Sequence, residues 1–179
     1  MYTEKEISRK TLFHGRIVNV REDVAEIHCG SHVLREVVEH SGGVSVVPVD
    51  SDGSFWCVRQ FRYPFMKELL EFPAGRLEPG EDPLVCAVRE LKEETGLSAG
   101  QMVYLGPMYP SPGFCNEILH LYLATELTQG EASPDEYEFL SVERISEKKL
   151  LAMVMENEIP DAKTVVGLFR AKQFLERQR

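Results

Sequence analysis

The glutamates Glu90, Glu93 and Glu94 are spaced so that their carboxylates could act together. In a helix, residues three and four positions apart lie on one flank, so these side chains would project into one neighbourhood. Such crowding destabilises an exposed helix, and a divalent cation would turn the repulsion into ligation. Magnesium prefers hard oxygen ligands and suits glutamates without histidines. Acidic helix faces are often simply solvated, so the three residues alone leave both interpretations open.

The segment that carries these glutamates is predicted to be a helix with well-marked ends. Asp82 can cap its start, Pro83 suits the first helical position, and Gly96 can adopt the left-handed conformation that ends a helix. A stripe at helical spacing should pack on the core and anchor the carboxylates on the adjacent flank; its residues are Leu84, Ala87, Val88, Leu91 and Thr95.

The wider pattern around this helix is more specific than the glutamates alone. Gly75 is followed by five residues, Glu81, seven residues and then the run Arg89-Glu90-Leu91-x-Glu93-Glu94-x-Gly96-Leu97. This pattern resembles the Nudix box at every defined position. From average residue usage, chance agreement somewhere in the chain is on the order of one in ten million. The resemblance implies a loop, helix and loop that bind divalent metal at a diphosphate.

The resemblance also implies a role for each residue of the box. Glu90 and Glu94 would be the principal metal ligands together with the backbone carbonyl of Ala74, while Glu93 would assist another metal ion or a water. Magnesium is the expected ion, with manganese as an alternative. Three further residues would orient this cluster: Gly75, Glu81 and Arg89. An arginine provides a fixed countercharge, and a glycine lets the backbone approach an ion closely.

Three segments outside the box indicate the substrate. The segments LLEFPAGRLEPGE, YPSPGFCNE and IPDAKT resemble the ADP-ribose pyrophosphatase branch of the family. Pro112 lies fifteen positions beyond Leu97, where this branch typically has a proline, so its loop would cover the terminal ribose and Glu117 would contact that sugar. The resemblance implies magnesium-dependent hydrolysis of ADP-ribose to AMP and ribose 5-phosphate.

Each of the remaining candidate site residues has more than one possible role. By the same resemblance, Arg62 would face a substrate phosphate and Arg35 would reach the site of a partner subunit, although either could form a surface salt bridge instead. The catalytic base is expected in the acidic stretch SPDEYEFL, with Glu136 as first choice and Glu138 as second. Phe13 could stack on adenine, although core packing is the more usual role of a phenylalanine.

The activity itself has two kinds of alternative. Another nucleotide-sugar diphosphate, or a dinucleoside polyphosphate, could be the substrate of the same chemistry. From a different class, the chain could be a nucleotide-sugar sensor that keeps the fold without turnover. Such a sensor would be expected to have lost carboxylates of the box, and this sequence retains them all.

The surrounding strand and helix patterns predict an α+β fold, an α/β/α sandwich of Nudix-like type with an antiparallel β-sheet appended at the N-terminus. Residues 1–40 would form this appendage and residues 41–179 the Nudix domain. Appendage strands are predicted at 12–20, 24–29 and 32–39. The main domain should contain a hairpin of strands 44–49 and 55–61, strands at 67–72, 103–109 and 118–127, and helices at about 146–156 and after 161.

Composition and charge narrow the class of protein. The 179 residues are 43% apolar and 27% charged, which is typical of a globular protein that can bury its own core. The net charge of −9 argues against binding to nucleic acid or to an anionic membrane surface. The four scattered cysteines form no CxxC pair, and no signal peptide or membrane span is indicated. We therefore expect a cytoplasmic protein and, from the family resemblance, a homodimer formed through the N-terminal sheet.

Overall fold

The structure is a computed structural model that describes residues 2–133 and 139–178. The chain divides into two compact units. The first unit is Met1–Gly42 together with Tyr109–Ile118, and the second is Gly43–Met108 together with Leu119–Arg179. No helix in the described part of the chain is long and apolar enough to cross a membrane.

The first unit contains an antiparallel sheet of three strands in the order β1-β2-β3. Its strands are β1 (Glu4–His14), β2 (Val18–Ile27) and β3 (His32–His40). The segment Tyr109–Ile118 joins β3 through its backbone, since the Val38 N–H donates to the Phe114 carbonyl at 2.7 Å and the Asn116 N–H donates to the Val38 carbonyl at 3.1 Å. This recruitment of a distant segment was not predicted from the sequence.

The predicted strand at 12–20 is wrong, because it spans the turn between β1 and β2. The Gly15 N–H closes that turn on the Val18 carbonyl at 3.0 Å. Apolar residues on both sides of the turn continue an alternating pattern across it, which hides the break. The true first strand, Glu4–His14, is exposed at every position and offers no buried face for such a pattern to reveal.

The second unit contains two sheets. The mixed sheet has the order β7-β4-β9-β8, in which β4 runs parallel to β9. Its strands are β4 (Gly43–Pro48), β7 (Ala74–Arg76), β8 (Leu97–Met108) and β9 (Leu119–Gln129). The antiparallel sheet has the order β10-β5-β6, with β5 (Ser54–Arg62), β6 (Lys67–Glu71) and β10 (Leu140–Ser146). A short 3-10 helix, Tyr63–Phe65, follows β5.

The predicted hairpin of β4 and β5 is wrong, although its turn exists. The Gly53 N–H donates to the Asp50 carbonyl at 2.9 Å, as a turn there requires, but only an isolated bridge joins Val49 to Phe55. Both edges of β4 are occupied, by β7 and by β9. Strand β5 therefore pairs with β6 and β10 in the other sheet.

Helices cover both faces of the mixed sheet. Helix α1 (Pro83–Thr95) packs on Val44 and Val46 of β4, whereas α3 (Ala162–Gln178) packs on the opposite face around Val47. Helix α2 (Glu147–Met155) joins the same core cluster as α3. A side chain at Gly167 would bring its Cβ within 2.9 Å of Val47, so this glycine lets α3 approach the sheet closely. The predicted α+β fold with an α/β/α sandwich is confirmed.

The ends of α1 are as predicted, but its buried face is not. Asp82 accepts the N–H groups of Leu84 and Val85 at 2.8 and 3.3 Å, and Gly96 ends the helix at a φ of 73°. Leu84 and Val88 are 42% and 50% exposed, so they do not anchor the helix in the core. The buried residues of α1 are Cys86, Ala87, Glu90, Leu91, Glu94 and Thr95. The pattern misled because two glutamates occupy positions on the buried face.

Candidate active site

Arg89 draws three of the predicted carboxylates together. Its Nε and Nη2 atoms donate to the two oxygens of Glu81 at 3.0 and 3.1 Å. Its Nη1 donates to Glu90 at 2.7 Å and to Glu93 at 2.9 Å. The two-pronged contact with Glu81 fixes the plane of the guanidinium, so the remaining N–H groups are aimed at the helix carboxylates. Glu81 and Arg89 thus form a two-pronged pair beside Glu90 and Glu93, and their orienting role stays a prediction.

The charge state of Glu81 follows from these contacts. Hydrogen bonds from Arg89, and a further one from the Glu78 N–H, lower the pKa of Glu81 to about 2. The hydrogen bonds to Glu81 in turn raise the pKa of Arg89 well above its ordinary value. A carboxylate with so low a pKa is a poor proton acceptor at neutral pH. Glu81 therefore suits an orienting role and not that of a general base.

The loop before α1 contacts the two buried carboxylates of the helix. Glu94 is 1% exposed and accepts the Ala74 N–H at 3.1 Å. A Cβ at Gly75 would overlap the carboxylate of Glu90, so only glycine leaves that carboxylate in its present position. Glu90 and Glu94 thus converge on two adjacent backbone residues. The carboxylate oxygens gathered here are hard donors of the kind that a divalent cation prefers.

Few side chains of the described residues are placed to ligate a metal ion. In the ranges 2–133 and 139–178, no group of three or more His, Cys, Asp or Glu side chains is arranged to hold a metal ion. Magnesium at phosphate sites is usually held by one or two carboxylates and by substrate phosphates, and it keeps several waters. Two buried glutamates beside the Ala74 backbone are consistent with that mode of binding.

Arg62, predicted to face a substrate phosphate, is held by a buried carboxylate. Its Nε and Nη2 atoms donate to Glu71 at 2.9 and 2.7 Å, and Glu71 is 1% exposed. The pKa of Arg62 is raised, mainly by these hydrogen bonds, and the charge of Glu94 acts in the same direction. Burial by itself would raise the pKa of Glu71, but Arg62 and Lys163 outweigh it, and the net effect is a lowered pKa. Glu71 is therefore a charged group between two cations.

The first turn of α3 supplies the second cation. Lys163 is buried and forms ion pairs with Glu71 and, at 3.0 Å, with Asp161. Thr164 follows it and accepts the Phe72 N–H through its hydroxyl at 2.9 Å. None of the roles of Glu71, Asp161, Lys163 or Thr164 was predicted. The available signal was a glutamate between Leu70 and Phe72 in an otherwise apolar strand end.

Three predicted substrate residues lie in the first unit. Arg35 donates to Glu4 at 2.9 and 2.7 Å, and Arg35 and Pro112 both line a cavity of about 350 Å³. A carboxylate oxygen of Glu117 lies 3.5 Å from the Nδ1 atom of His40. Phe13 is 56% exposed and so does not pack in a core of its unit.

The predicted residues therefore divide into three groups. The second unit brings the box residues together around Arg89 and the loop before α1. The first unit holds Arg35, Pro112 and Glu117. The predicted catalytic bases, Glu136 and Glu138, lie outside the described residues.

Comparisons with known proteins agree with this geometry. The family model described as NUDIX domain matches residues 39–165. The chain is 40% identical over 170 residues to a "Methanol dehydrogenase activator" of Bacillus methanolicus, covering 94% of this chain and 92% of the relative. It is 37% identical to an "ADP-ribose pyrophosphatase" of Bacillus subtilis, covering 98% and 97%. A crystal structure titled "ADP compounds hydrolase" shares the fold with a TM-score of 0.86 at 23% identity, over 98% of this chain and 95% of that one.

Proposed function

Because the chain belongs to the Nudix family and is a pyrophosphohydrolase, we propose that it hydrolyses the diphosphate of ADP-ribose with the help of magnesium. Water adds across the P–O–P bridge, one phosphorus gains the hydroxyl, and the products are AMP and ribose 5-phosphate. The observation that carries the proposal is the convergence of buried Glu90 and Glu94 on the Ala74–Gly75 backbone.

The residues of the second unit have distinct roles in this proposal. Glu90, Glu94 and the Ala74 carbonyl would hold the cation, and Glu93 would assist. A bound divalent cation supplies charge neutralisation at the diphosphate and lowers the pKa of a water. Arg89 holds Glu90 and Glu93 in place through its hydrogen bonds of 2.7 and 2.9 Å.

Two further roles concern the phosphate and the proton. Arg62, whose orientation is fixed by Glu71, provides a positive charge toward a substrate phosphate. Glu136, with Glu138 as the alternative, accepts the proton of the attacking water. This second assignment rests on the resemblance of the stretch SPDEYEFL to the loop that carries the base in this branch of the family.

The substrate assignment rests on the full-length relative from Bacillus subtilis and on the segments outside the box. Pro112 and Glu117 are proposed for the terminal ribose, and Arg35 is proposed to reach the site of a partner subunit. The name of the Bacillus methanolicus relative states that it activates methanol dehydrogenase and gives no substrate for the relative itself. A panel of substrates therefore decides the assignment.

The substrate is tested with purified chain, saturating magnesium and three compounds: ADP-ribose, GDP-mannose and a dinucleoside polyphosphate. We expect the highest kcat/KM for ADP-ribose, with AMP and ribose 5-phosphate formed in equal amounts. A higher kcat/KM for another compound overturns the substrate assignment. Absence of turnover with any compound, with magnesium or manganese, favours a sensor.

We also propose that the chain acts as a cytoplasmic homodimer assembled through the first unit. The exposed strand β1 presents Ile7, Leu12 and Phe13, which are all solvent-accessible in the single chain. Exposed apolar residues on an unpaired edge favour pairing with another surface. Light scattering should give the mass of a dimer, and a stable monomer at micromolar concentration contradicts the proposal.

A further inference from the structure

The short segment that joins β6 to β7 is held by three hydrogen bonds to its backbone. The Phe72 N–H donates to the Thr164 hydroxyl at 2.9 Å, and the Val46 N–H donates to the Pro73 carbonyl at 2.8 Å. The Ala74 N–H donates to Glu94 at 3.1 Å. Pro73 has no N–H to offer, so both N–H groups of this segment are engaged by side chains. The segment ends at Ala74, whose carbonyl is a proposed metal ligand.

The Thr164 hydroxyl is itself oriented from the other side. It donates to Asp161 at 2.6 Å, and the same carboxylate oxygen accepts the Thr164 N–H at 3.0 Å, as a helix-capping residue does. Thr164 is fully buried, as is Phe72. Without this hydroxyl, the Phe72 N–H would lose its acceptor in a place that water cannot easily reach.

Lys163 links the same turn to the arginine of the proposed site. Its ammonium group pairs with Glu71, and Glu71 holds Arg62 with two hydrogen bonds. A lysine in the first turn of a helix is disfavoured by the helix dipole, and burial adds to that cost. Two carboxylates, Glu71 and Asp161, offset it. The pairing with Glu71 therefore accounts for a buried lysine at the start of a helix.

We propose that Thr164 and Lys163 are positioning residues for the two halves of the active site. Thr164 places the Phe72–Ala74 segment and, through it, the Ala74 carbonyl that would bind the metal. Lys163 places Glu71 and, through it, the guanidinium of Arg62 that would contact the substrate phosphate. The inference rests on the proposed function for the roles of Ala74 and Arg62. In this proposal both residues act through other residues and not by contact with substrate or metal.

The two parts of the proposal predict different defects, one in metal binding and one in substrate binding. A general loss of structure would not separate them. Removal of the Thr164 hydroxyl should weaken metal binding, because the Ala74 carbonyl is no longer fixed. Removal of the Lys163 charge should raise the KM for ADP-ribose at saturating metal, because Glu71 and Arg62 can shift together. Loss of a residue that supports a metal ligand typically costs about 10-fold to 100-fold in affinity or activity.

The metal half is tested by Mn²⁺ binding to the whole chain without nucleotide, followed by the electron paramagnetic resonance signal of free Mn²⁺. We expect Thr164→Val to raise the Kd for Mn²⁺ about 10-fold and Thr164→Ser to retain the wild-type Kd. The control Thr128→Val, at an exposed threonine of β9, should leave the Kd unchanged. If Thr164→Val and Thr164→Ser weaken Mn²⁺ binding equally, this half of the proposal is overturned. If Thr164→Val does not fold, Thr164→Ala replaces it under the same criterion.

The substrate half is tested by the KM for ADP-ribose at saturating Mn²⁺. Lys163→Met keeps the length of the side chain, and we expect it to raise the KM severalfold without weakening Mn²⁺ binding. The matched control is Lys172→Met, because Lys172 forms surface ion pairs with Glu147 and Glu176 on the outside of α3. A Lys163→Met chain with an unchanged KM, or with an equally weakened Mn²⁺ affinity, overturns this half.

The failure of the inference and the failure of the proposed function remain distinguishable. A wild-type chain that binds Mn²⁺ but does not hydrolyse ADP-ribose contradicts the proposed function, while Thr164 is still judged on Mn²⁺ binding alone. A wild-type chain that binds no Mn²⁺ overturns both, because the metal assignment of Ala74 is then wrong.

Discussion

The backbone at Gly75 lies against the carboxylate of Glu90 so closely that a Cβ at this position would overlap it. The glycine is therefore required by a side chain fifteen residues further along the chain, and not by a left-handed backbone conformation. Since Glu90 also accepts a hydrogen bond from Arg89, its carboxylate is confined between a backbone and a guanidinium. Such confinement predefines the position of a proposed metal ligand before any ion binds.

Gly75→Ala is expected to abolish most activity while the fold survives. The added methyl group pushes the Glu90 carboxylate away, and misplacement of a reacting group by about 1 Å can cost about 100-fold in rate. We expect a fall of that size in kcat/KM, together with weaker Mn²⁺ binding. Gly30→Ala is the control, because its Cβ meets nothing within 4 Å although its φ is 82°. It should lower stability without lowering turnover, and wild-type activity in Gly75→Ala contradicts the prediction.

Glu81→Gln is expected to destabilise the protein in a pH-dependent manner. The pKa of Glu81 is lowered from its usual value of 4.5 to about 2, mainly by the hydrogen bonds from Arg89. A carboxyl with a lowered folded-state pKa stabilises the fold above its unfolded pKa, and this contribution is lost as the pH falls through the folded value. The difference in unfolding free energy between wild type and Glu81→Gln should be constant above about pH 5.5 and shrink between pH 4.5 and 2.

Urea unfolding at a series of pH values measures this difference, provided that both chains unfold in one cooperative step. Glu143→Gln serves as the comparison, since Glu143 pairs with Arg59 at 2.6 Å at the edge of the other sheet. If the difference in unfolding free energy between wild type and Glu81→Gln grows as the pH falls, the lowered pKa of Glu81 does not stabilise the fold and the prediction is wrong.

The parts of the site that lie on one helix could be predicted from the sequence. Glu90, Glu93 and Glu94 share a flank because helical geometry fixes their spacing, and the Asp82 and Gly96 ends follow from local backbone chemistry. The convergence of these residues on Arg89 needs only the helix and the loop before it. Helical periodicity is therefore sufficient to place the three glutamates on one flank, whereas the box as a whole was identified from the family resemblance.

The remaining parts depend on contacts that no local pattern encodes. Glu71 meets Lys163 across 92 positions of the chain, and both edges of β4 are taken by strands distant in sequence. The exposure of Leu84 and Val88 likewise depends on how the helix packs against distant parts of the chain. Periodicity indicates that a helix has an apolar stripe, but the packing of α1 places Glu90 and Glu94 on the buried side at the expense of those apolar residues.

Glu71→Gln is expected to be among the more destabilising substitutions on β6. It leaves the cations of Arg62 and Lys163 without the buried carboxylate that pairs with both, and breaking a buried ion pair typically costs about 3–5 kcal/mol. Glu143→Gln breaks a pair whose side chains are 33% and 36% exposed, and it should cost at most about 1 kcal/mol. Urea unfolding of both variants at pH 7 compares them directly. Equal costs would show that the Glu71 network contributes no more than a surface pair.

Glu94→Gln and Glu93→Gln are expected to differ in their effect on turnover. Glu94 is buried against Ala74 and is a proposed metal ligand, whereas Glu93 is partly exposed and is bound to Arg89. The amide oxygen introduced by Glu94→Gln can still accept the Ala74 N–H, so the fold should persist while the charge is lost. Support of a ligand alone is worth up to about 100-fold, so loss of the ligand charge should lower kcat at least that far.

Glu93→Gln should have a smaller effect, and extra magnesium should restore part of its activity. The measurement is the magnesium dependence of ADP-ribose hydrolysis for wild type and both variants, with the thermal midpoint of each chain as the check on folding. Near-normal turnover of Glu94→Gln at saturating magnesium would remove Glu94 from the proposed ligands. Ala74 and Glu90 would then have to hold the ion without the carboxylate that the structure buries most deeply beside them.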